Sequence, residues 1–381
     1  MQGAKRTGPT LMYLVTEDWY FLSHRLPMAL AALRAGYDVH VVTRVKRDGA
    51  KIAQHGFTLH ALSWERGSLN PVGLLSVIRD IRAIYRKYAP DVVHHVALQP
   101  AIVGSLAAIG LPMVRLNALA GLGYGFTSTS LKARVLRPTL SVFLRALLKG
   151  EKAAVLVQNP DDRAKVSALG VNPARVFLIP GSGVDVDVLR PLPEPDGPIT
   201  VGFIGRLLDD KGIRTLVAAH EILTRRGEAI SLLIGGDTDP ANPASIPAAE
   251  IEGWKKQPGV KVLGHVSNIL KFWESAHIAV LPSRREGLPK SLLEAAACAR
   301  PIVATDVPGC REIARDGVNA LLVPPDDVQA LADAIILLAK DKRLRATFGE
   351  AGRRLVEKEY SAERIGADIV ALYGHLIAPV R

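Results

Sequence analysis

Short runs of β-branched and aliphatic residues alternate with helical periodicity along nearly the whole chain. The runs are apolar throughout, as is typical of strands in a parallel sheet that helices cover on both faces. The sequence therefore predicts an α/β fold with doubly wound sheets. The predicted strands are 11–16, 39–43, 58–62, 92–96, 113–116, 154–157 and 176–179, then 199–204, 230–234, 260–263, 278–281, 302–304 and 320–323.

The alternation is interrupted once, between residues 180 and 198, where five prolines break any periodic pattern. Such a segment is typical of a domain boundary. We therefore expect one domain over 1–182, a linker over 183–198, a second domain over 199–360 and a C-terminal helix over 361–381 that packs back on the first domain. Helical patterns occupy 71–88, 161–169, 213–225, 290–299, 328–339 and 362–377.

Charge is unevenly divided between the two halves. Residues 1–180 hold 23 Lys and Arg against 10 Asp and Glu, whereas residues 181–381 hold 25 against 27. The excess in the first half favours an anionic partner such as phosphate or acidic lipid, although a generally basic surface is the plainer interpretation. Two cysteines cannot form a disulfide framework or a four-cysteine zinc site, so a reducing compartment is expected.

Neither export nor membrane spanning is expected from the apolar segments. The run Leu11 to Val15 is shorter than the core of a secretory signal. The longest stretch without Asp, Glu, Lys or Arg, residues 92–114, contains two histidines and two prolines and is typical of a buried element. We expect a cytoplasmic protein.

The loop after the first strand of the second half carries two cations beside a helix start. Strand 199–204 ends at Gly205, Arg206 follows, and Lys211 precedes the helix at 213. Unpaired N–H groups at a helix N-terminus favour an anion, and both cations suit phosphate oxygens. From this loop alone, a helix entry with two solvated cations is an equal interpretation.

A second motif follows strand 278–281 and contains two carboxylates. Pro289 is tolerated in a first helical turn, so the helix is predicted to begin near it. Glu286 then lies in the preceding loop and Glu294 lies inside the helix, between apolar residues. A carboxylate there is seldom placed for packing, and it suits the hydroxyls of a ribose. The alternative is an ordinary surface glutamate.

Together, Gly205-Arg206 to Lys211-Gly212 and Glu286-Gly287-Leu288-Pro289 to Glu294 resemble the donor-site motifs of the retaining glycosyltransferases of family 4. The resemblance extends to Gly183-Val184-Asp185 and to Val262 through Val266. It implies the GT-B arrangement, in which two Rossmann-like domains face each other across a donor and acceptor cleft.

The resemblance also implies roles for individual residues. Arg206 and Lys211 would bind the diphosphate of a nucleotide sugar, Glu286 would bind a hydroxyl of the transferred sugar, and Glu294 would bind the ribose. Gly264, His265 and Val266 would lie against the base, and the remaining donor-site residues are Gly205, Gly287, Leu288, Pro289 and Lys290. No metal or cofactor is expected, because charge stabilisation of the departing diphosphate is the main catalytic contribution.

The first half departs from the most common family pattern. The first strand is followed by Thr16 to Arg25, without a glycine-rich loop, and resembles a bacterial branch that builds surface polysaccharides. No histidine follows the strand at 113–116, where many members place one. The acceptor-side candidates are Tyr20, His24, Arg25, His94, His95 and Asn117, and a structural role for the strand-end histidines is the stronger alternative.

Residues 128–152 combine six cations and one acid with many leucines. A basic amphipathic helix of this kind can lie on an anionic membrane, which suits a lipid-linked acceptor, whereas an ordinary helix on the sheet is an equal interpretation. Nucleic acid is not expected as a partner, because no aromatic stacking platform or reading motif accompanies the charge.

These observations predict a peripheral enzyme at the inner face of the plasma membrane. It would transfer a sugar from a nucleotide diphosphate, uridine-linked, to a lipid-linked saccharide with retention of configuration. The alternatives are a nucleotide-sugar 2-epimerase of the same fold and a non-catalytic protein that holds anionic lipid or polymer.

Overall fold

The computed structural model describes residues 8–64, 71–119, 142, 144–240 and 242–378 of the chain. The chain divides into two compact units. Unit 1 contains Met1–Ser182 and Ala362–Arg381, and unit 2 contains Gly183–Ser361. Each unit is built on one sheet, and every strand pairing described within the two sheets is parallel.

The sheet of unit 1 has seven strands in the order β3-β2-β1-β4-β5-β6-β7. Chain order therefore reverses between β1 and β4, which is the switch point of a doubly wound sheet. The strands are β1 (Thr10–Glu17), β2 (Asp38–Arg44), β3 (Thr58–Ala61), β4 (Val92–Val96), β5 (Val114–Ala118), β6 (Ala153–Val157) and β7 (Val176–Leu178).

Helices cover both faces of this sheet. Leu11 and Tyr13 of β1 belong to one hydrophobic cluster, while Met12 and Leu14 belong to another, because successive side chains of a strand point to opposite faces. The helices are α1 (Asp18–His24), α2 (Leu26–Arg34), α3 (Gly49–Gln54), α4 (Pro71–Tyr88), α5 (Leu98–Ala107) and α6 (Pro160–Ala168).

The sheet of unit 2 has six strands in the order β10-β9-β8-β11-β12-β13, and its switch point lies between β8 and β11. The strands are β8 (Thr200–Ile204), β9 (Ser231–Gly235), β10 (Val260–Val262), β11 (Ile278–Leu281), β12 (Ile302–Thr305) and β13 (Ala320–Val323). The helices are α7 (Ile213–Arg225), α8 (Ala248–Trp254), α9 (Ile269–Glu274), α10 (Lys290–Ala297), α11 (Cys310–Ile313), α12 (Val328–Lys340) and α13 (Lys342–Glu359).

The last helix of the chain, α14 (Ala362–Ile377), packs against α2 within unit 1. A Cβ at Gly366 would lie 2.8 Å from the Cβ of Ala31, so the glycine permits this close approach. Tyr373 of α14 is fully buried and its hydroxyl lies 2.8 Å from that of Tyr13 on β1. The helix thereby supplies a polar group to the interior of unit 1.

The predicted α/β class and doubly wound sheets are confirmed, and each predicted strand is present. The sequence analysis did not predict α13. Gly349 and Gly352 interrupt its helical pattern, and both lie in close packing contacts, of which only that of Gly349 excludes a Cβ. A Cβ at Gly349 would lie 2.2 Å from the carbonyl oxygen of Ala299, and one at Gly352 would lie 3.4 Å from the Cβ of Ala296.

Candidate active site

The predicted donor-site residues of unit 2 cluster around its switch point. Gly212 has φ +68°, and a Cβ there would lie 1.9 Å from the carbonyl oxygen of Pro282, so the loop after β8 lies directly on the loop after β11. A Cβ at Gly309 would lie 2.5 Å from the carbonyl oxygen of Gly287, which brings in the loop after β12. Glycine at both positions removes the side chain that would separate these loops.

Lys211 and Glu286 form an ion pair between the loops after β8 and β11. The Lys211 Nζ lies 2.5 Å from the Glu286 Oε1, and the Ser283 hydroxyl donates to the same oxygen at 2.7 Å. The Glu286 side chain is 8% exposed and that of Lys211 is 23% exposed. A carboxylate with so little access to water needs such partners, since burial of an unpaired charge is costly.

Arg206 is paired with a carboxylate that the sequence analysis did not single out. Its Nη1 lies 2.8 Å from Oδ2 of Asp239 in the loop after β9, and its side chain is 42% exposed. The loops after β8 and β9 are in direct contact at Gly236. A Cβ there would lie 1.8 Å from the carbonyl oxygen of Gly205, so only glycine allows this approach. The guanidinium is therefore accessible. Its ion pair with Asp239 is weak enough for another anion to replace the carboxylate.

Glu294 lies in the second turn of α10, which begins at Lys290 with Pro289 at its N-cap, as predicted. Glu294 is buried, so the surface-glutamate alternative is wrong. Burial raises the pKa of its carboxyl, and Lys290, with Nζ 3.4 Å from Oε1, lowers it by less. Leu288 packs against the core cluster of unit 2 and precedes this helix start.

The predicted base-contact loop, Gly264 to Val266, lies beside the end of β9. Gly264 has φ +69°, and its carbonyl oxygen accepts the N–H of Gly236 at 2.7 Å. A Cβ at Gly235 would lie 2.8 Å from Cγ2 of Val266. The side chain of His265 is 61% exposed, with Nδ1 3.6 Å from Oδ2 of Asp237. An exposed ring on a fixed loop could contact a planar base.

Arginines beside the motif fix the loop after β11. Arg284 pairs with Asp209 and Asp326, and Arg285 pairs with Asp210. Burial raises the pKa of Asp209, but hydrogen bonds from Arg284 and Arg214 outweigh it and leave the pKa low. Because these partners come from two other loops, those after β8 and β13, sequence spacing did not reveal them.

Three acceptor-side candidates of unit 1 follow β1. The rings of Tyr20 and His24 stack with centroids 4.3 Å apart, and both residues are partly buried. Arg25 is 2% exposed, and its Nη1 donates to the carbonyl oxygen of His24 at 2.9 Å. The candidate Arg25 is therefore buried between α1 and α2, whereas Tyr20 and His24 are only partly buried.

The other candidates lie in the interior of unit 1. His94 and His95 lie within β4 rather than at its end, and both are fully buried. The ring nitrogens of His95 contact the hydroxyl of Tyr85 at 3.0 Å and Oδ1 of Asn117 at 2.8 Å. Burial lowers the pKa of His95 to about 4. His95 and Asn117 therefore belong to an internal network and are not accessible to an acceptor.

His94 points to the opposite face of the sheet. Its Nδ1 lies 2.6 Å from the hydroxyl of Tyr373, and its ring stacks on Tyr13. Burial, with the nearby charge of Arg25, lowers its pKa well below 6.5. His94 therefore has a structural role and is not an acceptor-binding residue, since its ring is neutral and packed.

The remaining observations concern a thiol, the membrane and metals. Burial raises the pKa of Cys298 to about 12, in keeping with a buried apolar role. Most of the predicted membrane helix at 128–152 lies outside the described residues. In the described part of the chain, no helix is both long and apolar enough to cross a membrane. That part also holds no group of three or more His, Cys, Asp or Glu residues suited to a metal.

Two doubly wound parallel sheets in one chain, one of them with cations and carboxylates at its switch point, define the GT-B class. Family models agree with this class along most of the chain. The "Glycosyl transferases group 1" model matches residues 198–341, and the "Glycosyl transferase 4-like" model matches residues 10–159. The chain belongs to the family 4 glycosyltransferases and is therefore an enzyme of the transferase class.

Two relatives and a solved structure match most of the length of the chain. A capsular polysaccharide biosynthesis glycosyltransferase, CapM of Staphylococcus aureus, is 25% identical over 88% of this chain and 89% of its own. An N,N'-diacetylbacillosaminyl-diphospho-undecaprenol α-1,3-N-acetylgalactosaminyltransferase of Campylobacter jejuni is 24% identical over 94% and 99%. Anabaena HepE in complex with UDP-glucose has a TM-score of 0.76, 17% identity and coverage of 97% and 100%.

Proposed function

We propose that the protein transfers a sugar from a UDP-sugar to a lipid-linked saccharide, with retention of configuration, during surface polysaccharide assembly. The arrangement of Arg206, Lys211, Glu286 and Glu294 around the switch point of unit 2 is the observation that carries this proposal. The solved relative that binds UDP-glucose supports the donor class. The capsular relative and the diphospho-undecaprenol relative support the process and the acceptor.

The donor diphosphate would lie against the loop after β8. Arg206 is accessible enough to grip phosphate oxygens in bidentate fashion once it leaves Asp239. Lys211 adds a second charge whose position is already fixed by Glu286. Cations held in place before the reaction stabilise developing negative charge without reorganisation, which is the main catalytic contribution available here.

The two carboxylates would bind hydroxyls of the donor. Glu294 is buried in α10 with its charge only partly balanced by Lys290, so it is a strong acceptor for the ribose hydroxyls. Glu286 would accept from a hydroxyl of the transferred sugar. The loop from Gly264 to Val266 would lie against the uracil.

In the reaction, the bond between the anomeric carbon and the donor phosphate oxygen breaks, and the diphosphate leaves with the electron pair. The acceptor hydroxyl oxygen bonds to the anomeric carbon from the same face. Its proton passes to an oxygen of the departing diphosphate. Arg206 and Lys211 hold the diphosphate beside the reacting carbon, so that it can accept this proton.

The lipid-linked acceptor accounts for the basic first half of the chain. Residues 1–180 carry an excess of 13 positive charges, which suits a diphosphate-linked lipid and the anionic inner face of a membrane. The peripheral location and the membrane contact of residues 128–152 are parts of this proposal. Charge reversal at Arg134, Arg137 and Arg145 should release the protein from anionic vesicles, and unchanged binding would contradict the contact.

Thermal-shift screening against UDP-, GDP- and ADP-sugars tests the donor class. A ligand at 100 times its Kd stabilises a fold by about 2.7 kcal/mol, so a preferred UDP-sugar should raise the Tm most. The shift should vanish in Lys211→Ala and persist in Lys255→Ala, which removes a lysine paired with Glu252 outside the site. Preference for another base would contradict the uridine assignment.

Product analysis then tests the reaction. With a polyprenyl-diphosphate saccharide as acceptor, the proposal predicts a new glycoside whose anomeric configuration, measured by NMR coupling constants, equals that of the donor. An inverted product would contradict retention. A free 2-epimerised sugar formed without acceptor would restore the epimerase alternative.

A further inference from the structure

Ser283 is a fully buried hydroxyl residue next to the proposed sugar site, and its backbone is fixed from two sides. Its carbonyl oxygen accepts the hydroxyl of Thr305 on β12. The next residue, Arg284, donates its N–H to the carbonyl oxygen of Asp210 in the loop after β8 at 2.9 Å. Ser283 is therefore anchored to the strands on both sides of the site.

The Ser283 hydroxyl is directed at one particular oxygen of Glu286. It donates to Oε1 at 2.7 Å, and the Lys211 ammonium donates to that same oxygen at 2.5 Å. Both donors thus occupy one side of the carboxylate. Within the described residues, the hydrogen bonds to the Glu286 carboxylate are both made at Oε1, so Oε2 remains able to accept from a ligand.

The Ser-x-x-Glu spacing resembles a capping box, in which the serine caps a helix N-terminus. Here the interpretation does not apply, because the next helix begins at Lys290 and the serine contacts the glutamate side chain instead of a backbone N–H. The pair therefore orients a carboxylate and does not start a helix. Charge-assisted hydrogen bonds are short and directional, which suits that task.

We propose that Ser283 is a positioning residue that, together with Lys211, locks Oε1 of Glu286 and presents Oε2 to a hydroxyl of the transferred sugar. This inference rests on the proposed function. This orientation of Glu286 makes the site selective for a sugar with a hydroxyl that can donate to Oε2, because Oε2 of an ionised carboxylate can only accept. Recognition of the nucleotide does not depend on Ser283.

The test compares Ser283→Ala with the full-length wild type. The probes are UDP and whichever of UDP-glucose, UDP-galactose and their N-acetyl derivatives stabilises the wild type most. The Kd for UDP should stay within about twofold, whereas kcat/KM for the UDP-sugar should fall about 10-fold or more, as expected for loss of a hydrogen bond to a charged group. Ser105→Ala is the matched control, since it removes a fully buried serine hydroxyl in unit 1 that donates to Asn117 and does not contact Glu286.

A double-mutant cycle with Glu286→Gln separates positioning from general stability. Ser283→Ala should add little to the loss already caused by Glu286→Gln, because the two changes remove one interaction. Equal losses for UDP and the UDP-sugar, fully additive losses, or an unaffected Ser283→Ala enzyme would each overturn the proposal. If Ser283→Ala does not fold, Ser283→Cys takes its place with the same expected pattern, since a thiol is a weak donor.

The same measurements separate failure of the proposed role of Ser283 from failure of the proposed glycosyltransferase function. A wild type that turns over the UDP-sugar and loses activity in Glu286→Gln, but not in Ser283→Ala, contradicts only the role of Ser283. A wild type that neither binds UDP nor turns over any UDP-sugar contradicts the proposed function, and the inference falls with it.

Discussion

Lys211 and Glu286 lie 75 residues apart in the chain, yet 2.5 Å separates the Nζ of one from the Oε1 of the other. The pair bridges the loops after β8 and β11, the two strands between which the chain order of the unit 2 sheet reverses. A cation proposed to bind the donor phosphate is thus positioned by a carboxylate proposed to bind the sugar. Binding of the leaving group and binding of the transferred group are therefore expected to be coupled.

Removal of either cation should lower turnover strongly. Arg206→Ala and Lys211→Ala are each expected to reduce kcat at least about 100-fold, the effect of losing a charge-stabilising contact worth about 3 kcal/mol. Steady-state kinetics with the preferred UDP-sugar measures this. Arg226→Ala is the control, because Arg226 is a similarly exposed arginine paired with Asp333 away from the site. Unchanged rates in both site variants would remove the proposed donor site.

The buried carboxylate of Glu294 is expected to lower the stability of the fold at neutral pH and to strengthen the binding of UDP. Burial raises its pKa above 4.5, so the native protein binds more protons than the unfolded chain as pH rises through 4.5 toward the folded pKa. Stability is therefore lost over that interval and stays lower at neutral pH. Glu294→Gln should remove this loss and keep or raise the Tm at pH 7, while the affinity for UDP falls about 10-fold.

Melting curves between pH 4 and 8, with calorimetric titration of UDP, measure both effects. Glu350→Gln is the matched control, since Glu350 also forms an i,i+4 pair on a helix but is exposed. It should leave the pH dependence and UDP binding unchanged. Lower stability of Glu294→Gln at pH 7 together with unaltered UDP binding would assign the carboxylate to packing.

Asp239 competes with phosphate for Arg206 in this account. Asp239→Asn keeps the shape of the side chain and removes its charge, so the guanidinium becomes available at lower cost. Because surface ion pairs contribute about 0.2–1 kcal/mol, UDP should bind about 1.4- to fivefold more tightly. The gain should shrink at high salt. Weaker binding in the variant would mean that Asp239 itself contributes to the donor site.

Gly212 permits the approach between the loops that carry Arg206 and Glu286. Gly212→Ala places a Cβ 1.9 Å from the carbonyl oxygen of Pro282 at a φ of +68°. Gly227→Ala has a similar φ of +76° but meets no atom within 4 Å, so it isolates the backbone strain. We expect a cost of about 1–2 kcal/mol for Gly227→Ala and more than about 3 kcal/mol for Gly212→Ala. Denaturant unfolding measures both, and equal costs would contradict the steric argument.

The strands were predictable because local patterns determine them. Strands of a parallel sheet are continuous apolar runs, and each appears where the sequence placed it. The helix α13 was not predicted, because its two glycines lie against α10 and the residues just after it, a contact that only the fold reveals. Local propensity and tertiary packing disagree at these two positions, and packing prevails.

The site was predictable in part for the same reason. Arg206 and Lys211 share one loop, and Glu286 and Glu294 share one loop and helix, so each pair is visible as a motif. Asp239 and Ser283 were not found, because their roles depend on contacts with side chains elsewhere. His94 and His95 were treated alike as neighbours, yet alternation along a strand sends them to opposite faces, one toward Tyr373 and the other toward Tyr85.

The central claim is that Arg206 and Lys211 hold a diphosphate while Glu294 holds the attached ribose. A crystal structure of the full-length protein with UDP measures this directly. The account predicts phosphate oxygens within hydrogen-bond distance of both cations and ribose hydroxyls on the carboxylate of Glu294. UDP bound elsewhere, with these three side chains unengaged, would contradict it.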